Sequence, residues 1–403
     1  MRTAAVSVAV LVLLTTFLAA PASLRAADAD ADGFTPLFNG RDLSGWVPVN
    51  VAPTTFSVRD NTIISTGVPT GVMRTDKQYE NYVLELEWMH VKPGGNAGLF
   101  IWSDPVTAVG QPFTRAIEVQ ILDGLETEDY TSDGDVFSIH GAKMKPDRPH
   151  PHGWERCLPS EKRAKPAGQW NHYRVECNDG SLKLAVNGKV VSGGSQIRPR
   201  KGYICLESEG GECHFRNIRI KELPSTNPKP EEAAPLDVGF KSLYTGLDLT
   251  GWKADAAQKE HWKAKDWTLV YDGKAGASAE PLWTEKEYVN FELIVDWRLT
   301  DKNAGPGAAA GAGVCVRGAY SPIPVIGPPA GGAAPAPGAS SAARKPGEWN
   351  RCIVTVRGDK ATVKLNDQKF GDALIRDAAR GPVGLLGGGA ALEFANFYVR
   401  ELK

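Results

Sequence analysis

The chain repeats itself, and no other feature of the sequence narrows its folds so far. LFNGRDLSGW (37–46) returns as LYTGLDLTGW (243–252), with six identities in ten. YENYVLELEW (79–88) returns as YVNFELIVDW (288–297), and GQWN (168–171) as GEWN (347–350). The closing stretch GYICLESEGGECHFRNIRIKEL (202–223) returns as GPVGLLGGGAALEFANFYVREL (381–402). The matches keep their order, so the chain is a tandem duplication of one folding unit. The copies are expected at 33–223 and 239–403, joined by a Pro- and Glu-rich linker at 224–238. At roughly 165–190 residues, each copy is large enough to bury its own core.

Within a copy the hydrophobic period is two. In VLELEWM (83–89), Leu84, Leu86 and Trp88 face one way while Glu85 and Glu87 face the other. In IEVQI (117–121), Ile117, Val119 and Ile121 point to a core and Glu118 and Gln120 point away. SLKLAVNGKVV (181–191) reads as two strands around an Asn187-Gly188 turn. Helical periodicity is scarce, and the 43 glycines and 28 prolines are spread between short apolar runs. The expected fold is therefore all-β: two tandem antiparallel sandwiches, each a jelly roll. Polar residues on an outer sheet face are placed to meet a ligand, which nominates Glu118 and Gln120, and Glu85 and Glu87 beside them.

A positive Arg2, an apolar run from Val6 to Ala20 and the small residues of APASLRAA (20–27) read as a secretory signal peptide over 1–26. A retained anchor is the other reading, but the run is shorter than the roughly 20 residues of a spanning helix. The expected location is secreted or periplasmic. Export permits disulfides. Cys205 and Cys213 flank a short turn that would bring them near each other, and buried free thiols are the alternative. A formal net charge of -1 provides no general attraction for nucleic acid or an anionic membrane.

The copies differ most where chemistry would sit. From Trp102 to Trp170 the first copy carries IEVQILDG, an acidic run and FSIHGAKMKPD, whereas the second has SPIPVIGPPAGGAAPAPGASSAA (321–343), which holds no titratable side chain. GGNAGLFIW (94–102) becomes GAGVCVRG (311–318) and loses the Asn96 amide; LESEGG (206–211) becomes LLGGGA (385–390) and loses Glu207 and Glu209. This pattern fits one equipped and one degenerate domain, with simple loop drift as the bland alternative.

With these motifs in order, the chain resembles the 3-keto-disaccharide hydrolase domain family. The first copy carries LFNGRDLSGW, YENYVLELEW, GGNAGLFIW, IEVQILD, GQWNHYRVE, VNGKVV and FRNIRIKEL; the second keeps the opening and closing motifs but lacks the middle. The family often has Gln and His where LESEG stands here, and an Arg where Trp102 stands. The resemblance implies a concanavalin/laminin-G-like jelly roll and cleavage of a glycoside already oxidised at C3 of its sugar. A C3 ketone acidifies the C2 hydrogen; a base removes it, the enolate expels the C1 substituent, and water adds back, for net hydrolysis. Such a site needs a base near C2 and donors for the enolate oxygen.

Glu118 is the candidate base and His140 the candidate acid or enolate donor. Asn96, Arg115, Gln120, Asp123, Trp102 and Glu207 are the candidate substrate contacts, Trp102 as a stacking ring. Each has a structural alternative: a solvated strand carboxylate for Glu118, a satisfied loop histidine for His140, a turn residue for Asn96, a core tryptophan for Trp102. No cofactor is expected. The acidic run LETEDYTSDGD (125–135) suits Ca²⁺ by composition or is a solvated loop, and His150 and His152 lack an indicated third ligand. Cys315 and Cys352 align with Phe100 and Tyr173 and are expected to be neighbours. Two rival functions stand beside the enzyme: a non-catalytic carbohydrate-binding protein, and a scaffold whose second domain docks an oxidoreductase that makes keto sugars.

Overall fold

The computed structural model describes residues 30–123, 133–274, 280–305, 308, 311–319, 343–375 and 379–403. The expected leader, Glu126, Glu128 and Asp129 of the acidic run, and nearly all of the 321–343 segment lie outside them.

Alternation produces strands throughout, as the period of two requires. The first copy is a sandwich of two antiparallel sheets. Nine strands form one sheet, in the order Lys143–Pro146, Lys189–Arg198, Ser181–Val186, Asn171–Asn178, Tyr82–His90, Cys213–Glu222, Thr62–Ser65, Phe56–Arg59, with Thr35–Pro36 also on Cys213–Glu222. Seven form the other: Arg156–Cys157, Val136–Ile139, Ala116–Leu122, Asn96–Ser103, Tyr203–Ser208, Gly71–Thr75, Trp46–Pro48. The Asn187-Gly188 turn forms as expected, both residues having positive φ (47° and 87°). Leu84, Leu86 and Trp88 meet Leu99, Ile117, Val119, Ile121 and Leu206 in one dry core. Glu85 and Glu87 do lie on the opposite side of their strand, but that side is the outer face of the nine-stranded sheet. There Glu85 pairs with Arg174 and Arg219. It is thus across the sandwich from Glu118, not beside it.

The second copy repeats the large sheet with Trp262–Lys265, Thr268–Tyr271, Leu392–Glu401, Phe291–Leu299, Asn350–Arg357, Lys360–Leu365 and Gln368–Leu374, plus Lys241–Ser242. Its small sheet has four strands: Trp252–Lys253, Leu282–Tyr288, Gly381–Leu386 and Gly313–Cys315. Among the described residues it has no counterpart of Ala116–Leu122, Val136–Ile139 or Arg156–Cys157. Strand Gly313–Cys315 is therefore an edge where its first-copy equivalent, Asn96–Ser103, is interior.

The sheets stack in four layers, because the two sandwiches pack face to face. Val72, Phe100, Ala116 and Cys205, from the outer face of the seven-stranded sheet, form an apolar layer with Ile294 and Tyr398 of the second copy's large sheet. The loop 104–115 folds over this face and is gripped from the other side. Gly110 N donates to Asp296 (2.8 Å), Arg351 and Asn396 donate to the carbonyls of Thr107 and Ala108 (both 2.9 Å), and the hydroxyls of Thr107 and Tyr398 bond at 2.9 Å. The linker is fastened as well: Glu80 takes bonds from Ser225 and Thr226, Gln78 donates to the carbonyls of Ala234 and Pro235, and Arg74 pairs with Asp237.

All six cysteines are buried free thiols. Cys205 faces the interdomain layer and Cys213 the core of the first sandwich, so the expected approach across the turn does not occur. Cys315 and Cys352 are not neighbours in the way expected either. Cys352 packs in the second core, while Cys315 follows the core residue Val314 and so turns to the other face of its sheet.

Candidate functional site: a carboxyl cluster on the interdomain face

Three strands of the seven-stranded sheet build the site. Gly98 pairs with Gln120 on one side, and the register places Glu207 level with it on the other. All three positions point outward. A Cβ on Gly98 would collide with Glu207 Oε2 and sit 3.2 Å from Glu118 Oε1. The missing side chain is what lets two carboxyls lean together over one backbone position. One step along, Asn96 bridges to Glu209 and donates its Nδ2 to that carboxylate. Glu118, Glu207, Glu209, Gln120 and Asn96 thus converge on one end of this face, with Glu118, Glu207 and Gln120 buried.

Burial dominates the electrostatics. Glu118 is 6% exposed and Glu207 fully buried. Loss of solvent pushes the Glu118 carboxyl up to about 8; the Glu209 charge adds to this and Arg156 opposes it. Glu207 is driven well above the ordinary carboxylate range, first by burial and then by Glu118 and Glu209. Glu209 is raised too. Neither oxygen of Glu207 receives a hydrogen bond from a nitrogen donor or hydroxyl, and Asn96 Oδ1 is likewise buried without a donor. Carboxyls this close do not all ionise at neutral pH, so the cluster holds a proton on Glu207 and shares it with Glu209. Arg156, stacked on Phe137 (3.9 Å) and paired with buried Asp135 (3.4 Å), is the cation nearest the group.

The other candidates divide. Asp123 accepts from Gly94 N (3.2 Å) and donates its own N to Gly95, which fixes the rim beside Asn96. Arg115 pairs with Asp104 (2.8 Å) and closes the base of the 104–115 loop. His140 follows the strand Val136–Ile139; its ring lies 6.4 Å from Phe113, in the apolar half of the face, and burial lowers it to about 4. It stays neutral at physiological pH and is not brought into the carboxyl cluster. Trp102 must be withdrawn as a stacking ring. It is fully buried in the core, and its Nε1 donates to Glu80 O (2.7 Å). His150 and His152 stack with Trp154. Asp133 of the acidic run is buried and raised to about 8. Among the described residues, no group of three or more His, Cys, Asp or Glu is arranged to hold a metal ion.

Glu209 and Arg156 were not among the sequence candidates, and Asp135 was considered only within the acidic run weighed for Ca²⁺. The signal for Glu209 was in plain view: it lies two residues from Glu207, on the same side of a strand, and the second copy lacks both. Arg156 had no local signature, and nothing local tied Asp135 to Glu118, since only the fold brings them together.

Two stacked antiparallel sandwiches, one with a carboxyl cluster on its outer face, define a tandem all-β jelly-roll protein. The chain belongs to the family described as 3-keto-alpha-glucoside-1,2-lyase-like domain, whose model matches residues 33–221 and again 239–400. A protein of Bacteroides thetaiotaomicron named 3-keto-disaccharide hydrolase is 23% identical over 248 residues, 50% of this chain and 84% of that one. A crystal structure from Parabacteroides distasonis, assigned as a glycosyl hydrolase, is 22% identical, covers 48% of this chain and 95% of its own, and has a TM-score of 0.38. The carbohydrate binding module CBM66 from Bacillus subtilis is 12% identical, with 45% and 97% covered and a TM-score of 0.33.

Proposed function

We propose that the first sandwich cleaves glycosides of 3-keto sugars, 3-keto-disaccharides among them, in an exported protein. The carrying observation is the pair of carboxyls over Gly98 with raised and unequal proton affinities. Paired carboxyls pushed apart in this way suit one base and one acid in the same site. Family membership and the name of the Bacteroides relative supply the substrate class.

Glu118, raised to about 8, takes the C2 proton in its ionised fraction, which grows as pH rises. The C–H electron pair forms the enolate, which collapses to expel the C1 substituent, and Glu207 gives its proton to the departing oxygen. Water then adds to the resulting enone. Asn96 and Gln120 orient hydroxyls. A positioned base contributes about 10²–10⁴-fold in rate. Incubation with a panel of 3-keto-disaccharides, followed by mass spectrometry, is expected to yield the two separated sugars. Glu118→Gln is expected to cut turnover by about 10²–10⁴-fold. Binding without any cleavage by the native chain would leave a carbohydrate-binding protein instead, and unchanged turnover in the variant would remove Glu118 from the role of base.

A further inference from the structure

The second sandwich lacks the site strands among its described residues, yet it touches the site of the first. Its hairpin Trp262–Lys265 to Thr268–Tyr271 turns at Asp266-Trp267, with Asp266 at φ 52°. Asp266 Oδ1 accepts from Thr70 N at 2.7 Å. Thr70 adjoins Gly71, which pairs with Ser208, the residue between Glu207 and Glu209. The Asp266 charge is near enough to raise Glu209. The tip of this hairpin therefore stands at the rim of the carboxyl cluster.

The residue at that tip has changed character between the copies. The first copy turns at Asp60-Asn61, the second at Asp266-Trp267. A tryptophan is a poor choice for a hairpin turn, where short polar residues are favoured. Trp267 is half-buried, and its ring lies 5.8 Å from that of Trp349, itself held under Arg298 (4.6 Å). Trp349 in turn lies against Gly110 of the first sandwich. Trp349 is thus fixed by a contact that crosses the interface, and Trp267 packs on it beside the Asp266–Thr70 bond that also crosses. Trp267 follows Asp266, whose carboxylate reaches the rim through Thr70 N, and an aromatic ring next to carboxyl and amide groups is the pairing that sugar recognition uses: an apolar face for the ring carbons, polar groups for the hydroxyls.

We propose that Trp267 is a specificity-determining residue of the first sandwich's site, stacking on the sugar beyond the scissile bond. The second copy then supplies one wall of the site whose chemistry belongs to its twin. This rests on the function proposed above, and it restricts the substrate class to glycosides whose C1 substituent is itself a sugar.

The test uses the full chain with Glu118→Gln, so that binding is read without turnover. Calorimetric titration compares a 3-keto-disaccharide with the methyl glycoside of the same keto sugar. Adding Trp267→Ala is expected to weaken the disaccharide about tenfold and the methyl glycoside less than twofold, with Trp267→Phe restoring most of the loss. Equal losses for both ligands, no loss, or failure of either ligand to bind would overturn the proposal. A disturbed interface would show as a lowered melting temperature and equal losses, and so also counts against it. The enzymatic reading fails separately, through absence of turnover in the native chain.

Discussion

Where Gly98 lacks a Cβ on its outward side, Glu207 Oε2 fills the space and Glu118 Oε1 lies beside it. Gly98→Ala forces Glu207 to move and crowds Glu118, with no change in charge. Overpacking of this kind costs about 1–3 kcal/mol. The larger consequence is expected in catalysis: kcat/KM should fall at least tenfold while the circular dichroism spectrum is kept. Glu118 also leaves a mark on stability. Its folded affinity for the proton, raised to about 8, exceeds the ordinary 4.5 of the unfolded chain. Between those values the folded state binds more protons than the unfolded one, so its stability falls as pH rises and levels off above about pH 8. Glu118→Gln removes that loss. The variant should match the native protein near pH 4.5 and be more stable at pH 8.5, by an amount on the order of a few kcal/mol; urea midpoints at the two pH values check it.

At the scale of elements, alternation revealed which residues of Ala116–Leu122 face out, and it failed on the neighbouring strand for a definite reason. From Asn96 to Ile101 the faces alternate as expected, so Trp102 should have followed Gly98 and Phe100 outward. Instead its φ is 54°, the pairing with Tyr203–Ser208 slips by a register, and the indole swings into the core. The second copy has the same kink at Arg317, with φ 52°, whose guanidinium bonds the carbonyl of Val289, the counterpart of Glu80. Two chemically unlike residues do one job, capping a carbonyl from inside a bulge. Neither identity announced it. The outward Phe100 was equally opaque, because a residue covered by another domain looks in sequence like an exposed one. The 104–115 loop depends on a third local detail. Gly110, at φ 63°, lies so close to Trp349 that an added methyl would overlap the indole. Gly110→Ala is expected to lower the melting temperature by several degrees, where substitution at the open Gly188 turn tip is felt only through its φ.

For the whole molecule, the duplication was legible from order alone, but its purpose was not. The linker composition suggests loose tethering, yet ion pairs and carbonyl bonds pin it to the first sandwich, and the two domains share a buried seam. At that seam Asp296 is fully buried and takes four hydrogen bonds: two from Arg351 (2.7 and 2.8 Å), one from Asn396 (2.6 Å) and one from Gly110 N. The last of these crosses between sandwiches. Removing the guanidinium leaves a buried carboxylate without its counter-ion, at a cost of about 3–5 kcal/mol. Because Arg351 also holds Thr107 O, that cost falls on docking as much as on the second core. The native chain should therefore unfold in one calorimetric transition. Arg351→Ala should split it, with the second sandwich melting first and the first sandwich, its apolar face bared at Phe100 and Val72, melting later. A single transition merely shifted to lower temperature would mean that the sandwiches remain coupled without this pair. The apolar layer alone would then be what holds the second copy against the first.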